Sequence, residues 1–293
     1  NRGKVFGSSQ AIFMIVSVLG PPLGGWLAGT YGFKLMLLVA GIFYFIAMLM
    51  RLSMAREASK SASAKIDKLS FDGLKINLRA MFALVFSGGL ITWMLITDGL
   101  RDVSFQFSEN LFPVYMQEIG GLSLQQIGWV MSFFGLAMML TTIPGGWLSD
   151  KAGERLGIAA GMVLMSSALL VLVNIPLGVK WMYFLGWGLA GMGAGISAPA
   201  YQSLISKAVP QKNRGMAFGL FSTSLGLISL PAPWIGAQMW ERVSPTFPFI
   251  VTAVVLLLSV IPIWLKFKLP KVETQGTEES ADESVSVVAG YIK

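Results

Sequence analysis

The residues best able to do chemistry stand in one short run: Asp98, Arg101, Asp102, Gln106 and Glu109. Their spacing of i, i+3, i+4, i+8 and i+11 places all five on one face of a helix. Their surroundings are apolar. No charge lies between Arg79 and Asp98, and Leu111-Phe112-Pro113-Val114-Tyr115-Met116 follows the run. A charged stripe in such a helix is costly unless it faces a wet cavity or pairs internally, so it marks a path for an ion or a polar solute. Burial and an adjacent guanidinium act in opposite directions on a carboxyl group's hold on its proton. With Arg101 shared between Asp98 and Asp102, one carboxyl can exchange its partner for a proton or a substrate group. Trp93, Phe105 and Phe107 offer aromatic surface for an organic solute, although lipid-facing aromatics are the commoner use of such residues. The competing reading ends the helix at Thr97 and leaves the charges in an external loop. The spacing keeps both readings open.

Other chemistry is excluded by residue type. The chain has no Cys and no His, which removes disulfides, thiolate nucleophiles and the common imidazole-based metal and acid/base sites. No cofactor and no metal are expected. No span pairs a nucleophile with a carboxylate dyad at a loop face, which disfavours an embedded enzyme. No G-x-x-x-x-G-K-[ST] phosphate loop occurs either, so nucleotide hydrolysis is not the expected source of energy.

The elements that must hold the stripe follow from composition. Of 293 residues, 54% are hydrophobic and only 13% charged, and the mean hydropathy is +0.67, too apolar for a water-solvated domain. Uncharged stretches at 5–33, 35–50, 80–97, 119–149, 156–179, 181–206, 215–240 and 243–265 approach or exceed the roughly 20 residues needed to cross the hydrocarbon. They are apolar on all sides, unlike alternating barrel strands, so the expected fold is an all-α integral membrane bundle of eight transmembrane helices. Most of the 22 basic residues fall at alternate turns, which places both ends of the chain in the cytoplasm and fits a plasma (inner) membrane protein. The net charge of +7 is then a topology signal with some attraction to anionic lipid, rather than a nucleic-acid footprint. The polar stretch 54–78 reads as a cytoplasmic linker, and 271–293 has too few large apolar residues to order itself.

An internal repeat organises the spans. Asn1-Arg2-Gly3-Lys4-Val5-Phe6-Gly7 recurs as Asn213-Arg214-Gly215-Met216-Ala217-Phe218-Gly219, and in the same register Ser17 meets Ser229, Pro21 meets Pro233 and Gly24 meets Gly236. The first two spans thus duplicate the last two, a parallel repeat of the kind secondary transporters use. On that register the four middle spans would also have partners before residue 1. The expectation is a twelve-helix protein represented here by helices five to twelve. Residues 1–53 are then the last two helices of a first half, and 79–270 a complete six-helix second half.

Two motifs carry a family resemblance. Gly146-Trp147-Leu148-Ser149-Asp150-Lys151-Ala152-Gly153-Glu154-Arg155 resembles the signature loop of the major facilitator superfamily, G-x-L-x-D-[RK]-x-G-[RK]-[RK], matching at Gly146, Leu148, Asp150, Lys151, Gly153 and Arg155 and departing at Glu154. Gly20-Pro21-Pro22-Leu23-Gly24-Gly25 is similar to the G-P-x-x-G-G end of that family's fifth-helix motif, with Val16 where the full motif has glycine. Gly188, Gly191, Gly193, Gly195 and Pro199 resemble its tenth helix.

The resemblance implies a gating loop at 146–155 that latches the inward side, with Asp150 near the start of the first helix beside Arg2 and Gly3. It also implies a secondary transporter moving a small organic solute by alternating access. Proton coupling and efflux are the favoured forms. The partial fifth-helix motif is equally well explained by helix packing, through the proline kink and the close approach glycines allow. The partners expected are a small-molecule substrate, a proton or other coupling ion and membrane lipid; the chain is expected to be a monomer and to bind no nucleic acid. A transport-inactive receptor or scaffold of the same fold is the alternative.

Overall fold

A computed structural model describes residues 2–61, 90–208 and 229–267. Among these the chain is helical with no strand. Helix α1 spans Arg2–Tyr31 and α2 Phe33–Ser61, joined at Gly32, whose φ of 83° is a turn that glycine adopts without strain. Helix α3 covers Leu90–Ser108, a 3-10 turn follows at Glu109–Leu111, and α4 runs over Phe112–Glu118. Then come α5 (Leu124–Ala152), α6 (Glu154–Val173), α7 (Trp181–Ala208), α8 (Ala232–Arg242) and α9 (Phe247–Lys266).

Local signals explain several boundaries. Ser123 opens α5 with a capping box: its hydroxyl accepts from the Gln126 backbone N–H, and the Gln126 side chain accepts from the Ser123 N–H. Gly153, at φ 92°, separates α5 from α6 by a single residue. Helix α2 continues through Ser61, into the stretch read from sequence as linker.

Five described helices are long and apolar enough to cross a membrane: Ile12–Tyr31, Phe33–Arg56, Leu124–Ala152, Glu154–Val173 and Phe247–Lys266. Helix α3 carries three charges in mid-helix, and α7 dilutes its apolar residues with glycine, while α8 is described only from Ala232. The protein is therefore an all-α integral membrane bundle. Its large exposed apolar side chains, among them Phe13, Leu23, Phe43 and Ile143, suit contact with hydrocarbon rather than water.

Helix α7 is the centre of the bundle, gripped by α5 on one side and α6 on the other. Its glycines make this possible. A Cβ at Gly191 or Gly195 would strike the α5 backbone at Phe134 or Met138, and one at Gly193 would lie 2.6 Å from the Gly161 carbonyl oxygen of α6. Such backbone contact is the usual basis of close helix pairing in lipid. Helix α9 packs on α6 and α3, α8 packs on α3, and α1 lies along α5. Two apolar clusters result. One gathers Phe112, Tyr115, Trp187 and Phe249, and the other Met94, Ile158, Met162, Leu204 and Ile263.

Candidate functional site

Helix α3 positions the charged stripe. It stays helical through Ser108, so the charges lie within a helix rather than in a loop that starts after Thr97. Polar contacts hold it against α9: Thr252 donates its hydroxyl to the Ser104 carbonyl oxygen and shares a 3.2 Å hydrogen bond with Ser108. Met94, Asp98 and Arg101 follow one per turn along this helix.

On α3, Arg101 lies between two carboxylates. Its Nη1 is 3.1 Å from Asp98 Oδ1, and its Nη2 donates to Asp102 Oδ1 at 2.9 Å, with Nε also donating at 3.2 Å. The two partners differ in surroundings. The Asp98 side chain is 6% exposed, whereas that of Asp102 is 36% exposed. The Asp98 contact is an ion pair without hydrogen-bond alignment, and Asp98 Oδ1 has no hydrogen-bond partner. The floor of the site is Tyr201 of α7, whose ring centroid is 4.9 Å from the Arg101 guanidinium carbon. Its buried hydroxyl interacts with the Asp98 carboxylate, without a well-aligned hydrogen bond among the described residues. Two carboxylates, one guanidinium and a phenol therefore share a site carrying one excess negative charge when the acids are ionised.

Glu109 is separated from this group. The 3-10 turn carries it to a cavity of about 300 Å³ lined with Phe105, Phe112, Phe134, Trp187 and Met131. Phe112 and Trp187 meet edge to face there, 4.3 Å between centroids. A lone carboxylate beside aromatic rings and a methionine can accommodate a flat organic group bearing a positive charge. Gln106 is half-buried between the two sites. The single stripe expected from spacing is thus two sites on one helix.

The signature segment also differs from its expected form. Gly146, Asp150 and Lys151 belong to the last turns of α5, and the loop contracts to Gly153. Gly146 is helical and a Cβ there would meet nothing within 4 Å, and the chain turns at Gly153. Asp150 and Lys151 are exposed. The side chains of residues 2–11, which include Arg2, Lys4 and the surroundings of Gly3, lie outside the described residues, as does the 213–219 copy of the repeat. Arg155 reaches back with its Nε to the Phe267 carbonyl oxygen at the end of α9, where the helix dipole favours a cation. Glu154, which departs from the family pattern, is buried at the start of α6. It accepts a hydrogen bond from Ser203 at 2.9 Å and forms an ion pair with Lys207, both on α7.

The fifth-helix motif divides between two faces. A Cβ at Gly25 would lie 2.6 Å from the Leu124 carbonyl oxygen, and the Pro21 carbonyl oxygen sits where a Cβ on Gly128 would be, at 2.5 Å. At Gly20 and Gly24 a Cβ would meet nothing within 4 Å. Gly236, the repeat partner of Gly24, packs tightly on the Phe107 backbone of α3.

Sequence reasoning missed Tyr201 and Lys207. Each stands about one hundred or fifty residues from its partner, and only the pairing of α7 with α3 and α6 brings them in. The one available signal was Tyr201 itself, a hydroxyl-bearing aromatic near the end of an otherwise glycine-rich, uncharged span.

Comparison with known proteins agrees with this architecture. A family model described as Major Facilitator Superfamily matches residues 99–292. The chain is 22% identical over 273 residues to the multi-drug resistance efflux pump PmrA homolog of Lactococcus lactis, covering 91% of this chain and 64% of that protein. It is 30% identical over 165 residues to the quinolone resistance protein NorA of Staphylococcus aureus, covering 56% of this chain and 41% of NorA. A crystal structure of the peptide transporter POT in complex with sulfate shares the fold with a TM-score of 0.52 at 20% identity, over 68% of this chain and 43% of that one. The chain thus spans less than two thirds of the length of these relatives.

Proposed function

The chain belongs to the Major Facilitator Superfamily, and from that premise we propose that it moves a small organic solute across the membrane by alternating access, coupled to protons and directed outward. One observation carries the coupling: Arg101 is held between a buried Asp98 and a half-exposed Asp102, with the Tyr201 ring beneath its guanidinium. Charge inside a membrane protein must be balanced in every state, so a proton arriving on one of the two carboxyls loosens its hold on Arg101. Arg101 is then free to turn fully onto the other. The same exchange runs backward when the proton leaves. A site that trades one partner for a proton can bias the two halves between inward and outward forms, provided each form prefers one protonation state.

The cavity at Glu109 supports an amphipathic solute, because its aromatic and methionine lining is apolar and its one charge is negative. Outward transport draws support from the similarity to a protein named a multi-drug resistance efflux pump. A cytoplasmic start of α1 and a return through α2 rest on the distribution of basic residues.

The test is flux of cationic and neutral aromatic dyes in vesicles, with and without a pH gradient, for wild type, Asp98→Asn and Asp102→Asn. The expected result is that at least one of the two variants transports at a rate no longer raised by the gradient. Wild-type gradient dependence in both variants would overturn proton coupling at this site.

A further inference from the structure

The junction of α1 and α5 contains a pairing that helix geometry explains. Within an α-helix each N–H bonds to the carbonyl four residues earlier, and proline has no N–H to give. Pro21 and Pro22 therefore leave the carbonyls of Ser17 and Val18 without their helical donors, in the middle of an otherwise continuous α1. A free carbonyl inside a membrane costs energy unless a neighbouring helix or side chain supplies a donor. Ser132 of α5 does so: its hydroxyl donates to the Val18 carbonyl oxygen. Ser132 is buried, at 7% exposure. Helix α5 meets the second free carbonyl with a glycine, for a Cβ on Gly135 would lie 2.9 Å from the Ser17 oxygen. Gly128 and Gly25 complete a row of backbone contacts on the same face.

The close contacts lie in the half of α5 away from the signature segment, between Gly25 with Leu124 and Ser17 with Gly135.

We propose that Pro22 and Ser132 act as one unit that closes the outer end of the seam between α1 and α5, the prolines exposing helix carbonyls and the serine hydroxyl binding one of them across the seam. This rests on the transporter reading above, in which α1 and α5 belong to opposite halves. It assigns Ser132 a positioning role. The bond forms when the halves meet at this end and must break for them to part, so the hydroxyl sets the balance between closed and open outer faces.

The pairing makes a specific demand: Ser132 matters only because Pro22 withholds a hydrogen. Restoring that hydrogen with Pro22→Ala should remove the need for the serine. Because the chain contains no Cys, a single cysteine at Ser17 can report opening through its labelling by a membrane-impermeant maleimide, applied to intact cells and to inverted vesicles. Ser132→Ala is expected to raise labelling from the outer face roughly threefold or more, the shift given by loss of an average interhelical hydrogen bond in a membrane protein. Ser132→Thr, which keeps the hydroxyl, should label like wild type. The double variant Pro22→Ala with Ser132→Ala should return toward the wild-type level. Equal labelling of Ser132→Ala and wild type, or a double variant that labels as strongly as Ser132→Ala, overturns the proposal. If Ser132→Ala fails to reach the membrane, the double variant should recover it, and failure to do so also refutes the pairing. Labelling does not require transport, so absence of dye flux in every variant would count against the transporter reading and leave this inference to be decided by the labelling pattern alone.

Discussion

Replacing Arg101 with leucine strands a charge, and the consequence can be worked from the site. Asp98 is 6% exposed on its side chain and has Arg101 as its ion-pair partner, while Asp102 is 36% exposed and can be solvated once released. Breaking a buried pair by removing one member costs about 3–5 kcal/mol, because the remaining charge is neither hydrated nor balanced. Loss of the guanidinium from the Tyr201 face adds about 0.5–2 kcal/mol. The half-exposed Asp102 contact contributes little, since solvent screens it. At roughly 2–4 °C per kcal/mol for a protein of this size, Arg101→Leu should lower the melting temperature in detergent by about 7–28 °C. Asp98→Asn in the same background removes the stranded charge, so most of that loss should be recovered, leaving only the missing cation–π contact. The assay is the temperature at which the monodisperse detergent-solubilised protein is lost, read by size-exclusion chromatography, for the two single variants and the double. If the double variant melts with Arg101→Leu, the instability comes from lost packing of the arginine stem and not from an unbalanced Asp98.

Two further predictions use the same assay. Gly236→Ala places a methyl on the Phe107 backbone of α3, which cannot swing aside, and should cost about 1–3 kcal/mol, whereas Gly24→Ala meets nothing within 4 Å and should be neutral or slightly stabilising. Lys207→Met leaves the buried Glu154 carboxylate with only Ser203 and should destabilise, while the exchange Glu154→Lys with Lys207→Glu should recover most of the loss; an exchange no better than the single variant would show that the pair contributes nothing by its charge.

How far the sequence can be read is set by what periodicity encodes. Spacing of 3 and 4 residues shows which side chains would share a helix face, so Asp98, Arg101 and Asp102 group together once the helix is known to pass Thr97, which spacing leaves open, and the apolar runs around them identify the membrane. Spacing does not reveal which helix that face meets. Tyr201 becomes part of the site only because Gly191, Gly193 and Gly195 let α7 sit against α5 and α6 at backbone distance, a depth set by residues on three helices together. The signature segment shows the same limit in another form. Its residue pattern is readable, but whether Gly146 turns the chain or continues the helix depends on where α5 can stop, and Gly153 at φ 92° is the residue that stops it. Glu154 looks like a defect in the pattern until Lys207 and Ser203 are seen beside it on α7. Pro22 and Ser132 follow the same rule: a missing N–H can be deduced from one residue, but the donor that replaces it depends on the register of a second helix more than one hundred residues away. The features least legible in this chain are therefore its contacts between helices, and these are also the features that a transporter must make and break as its halves move.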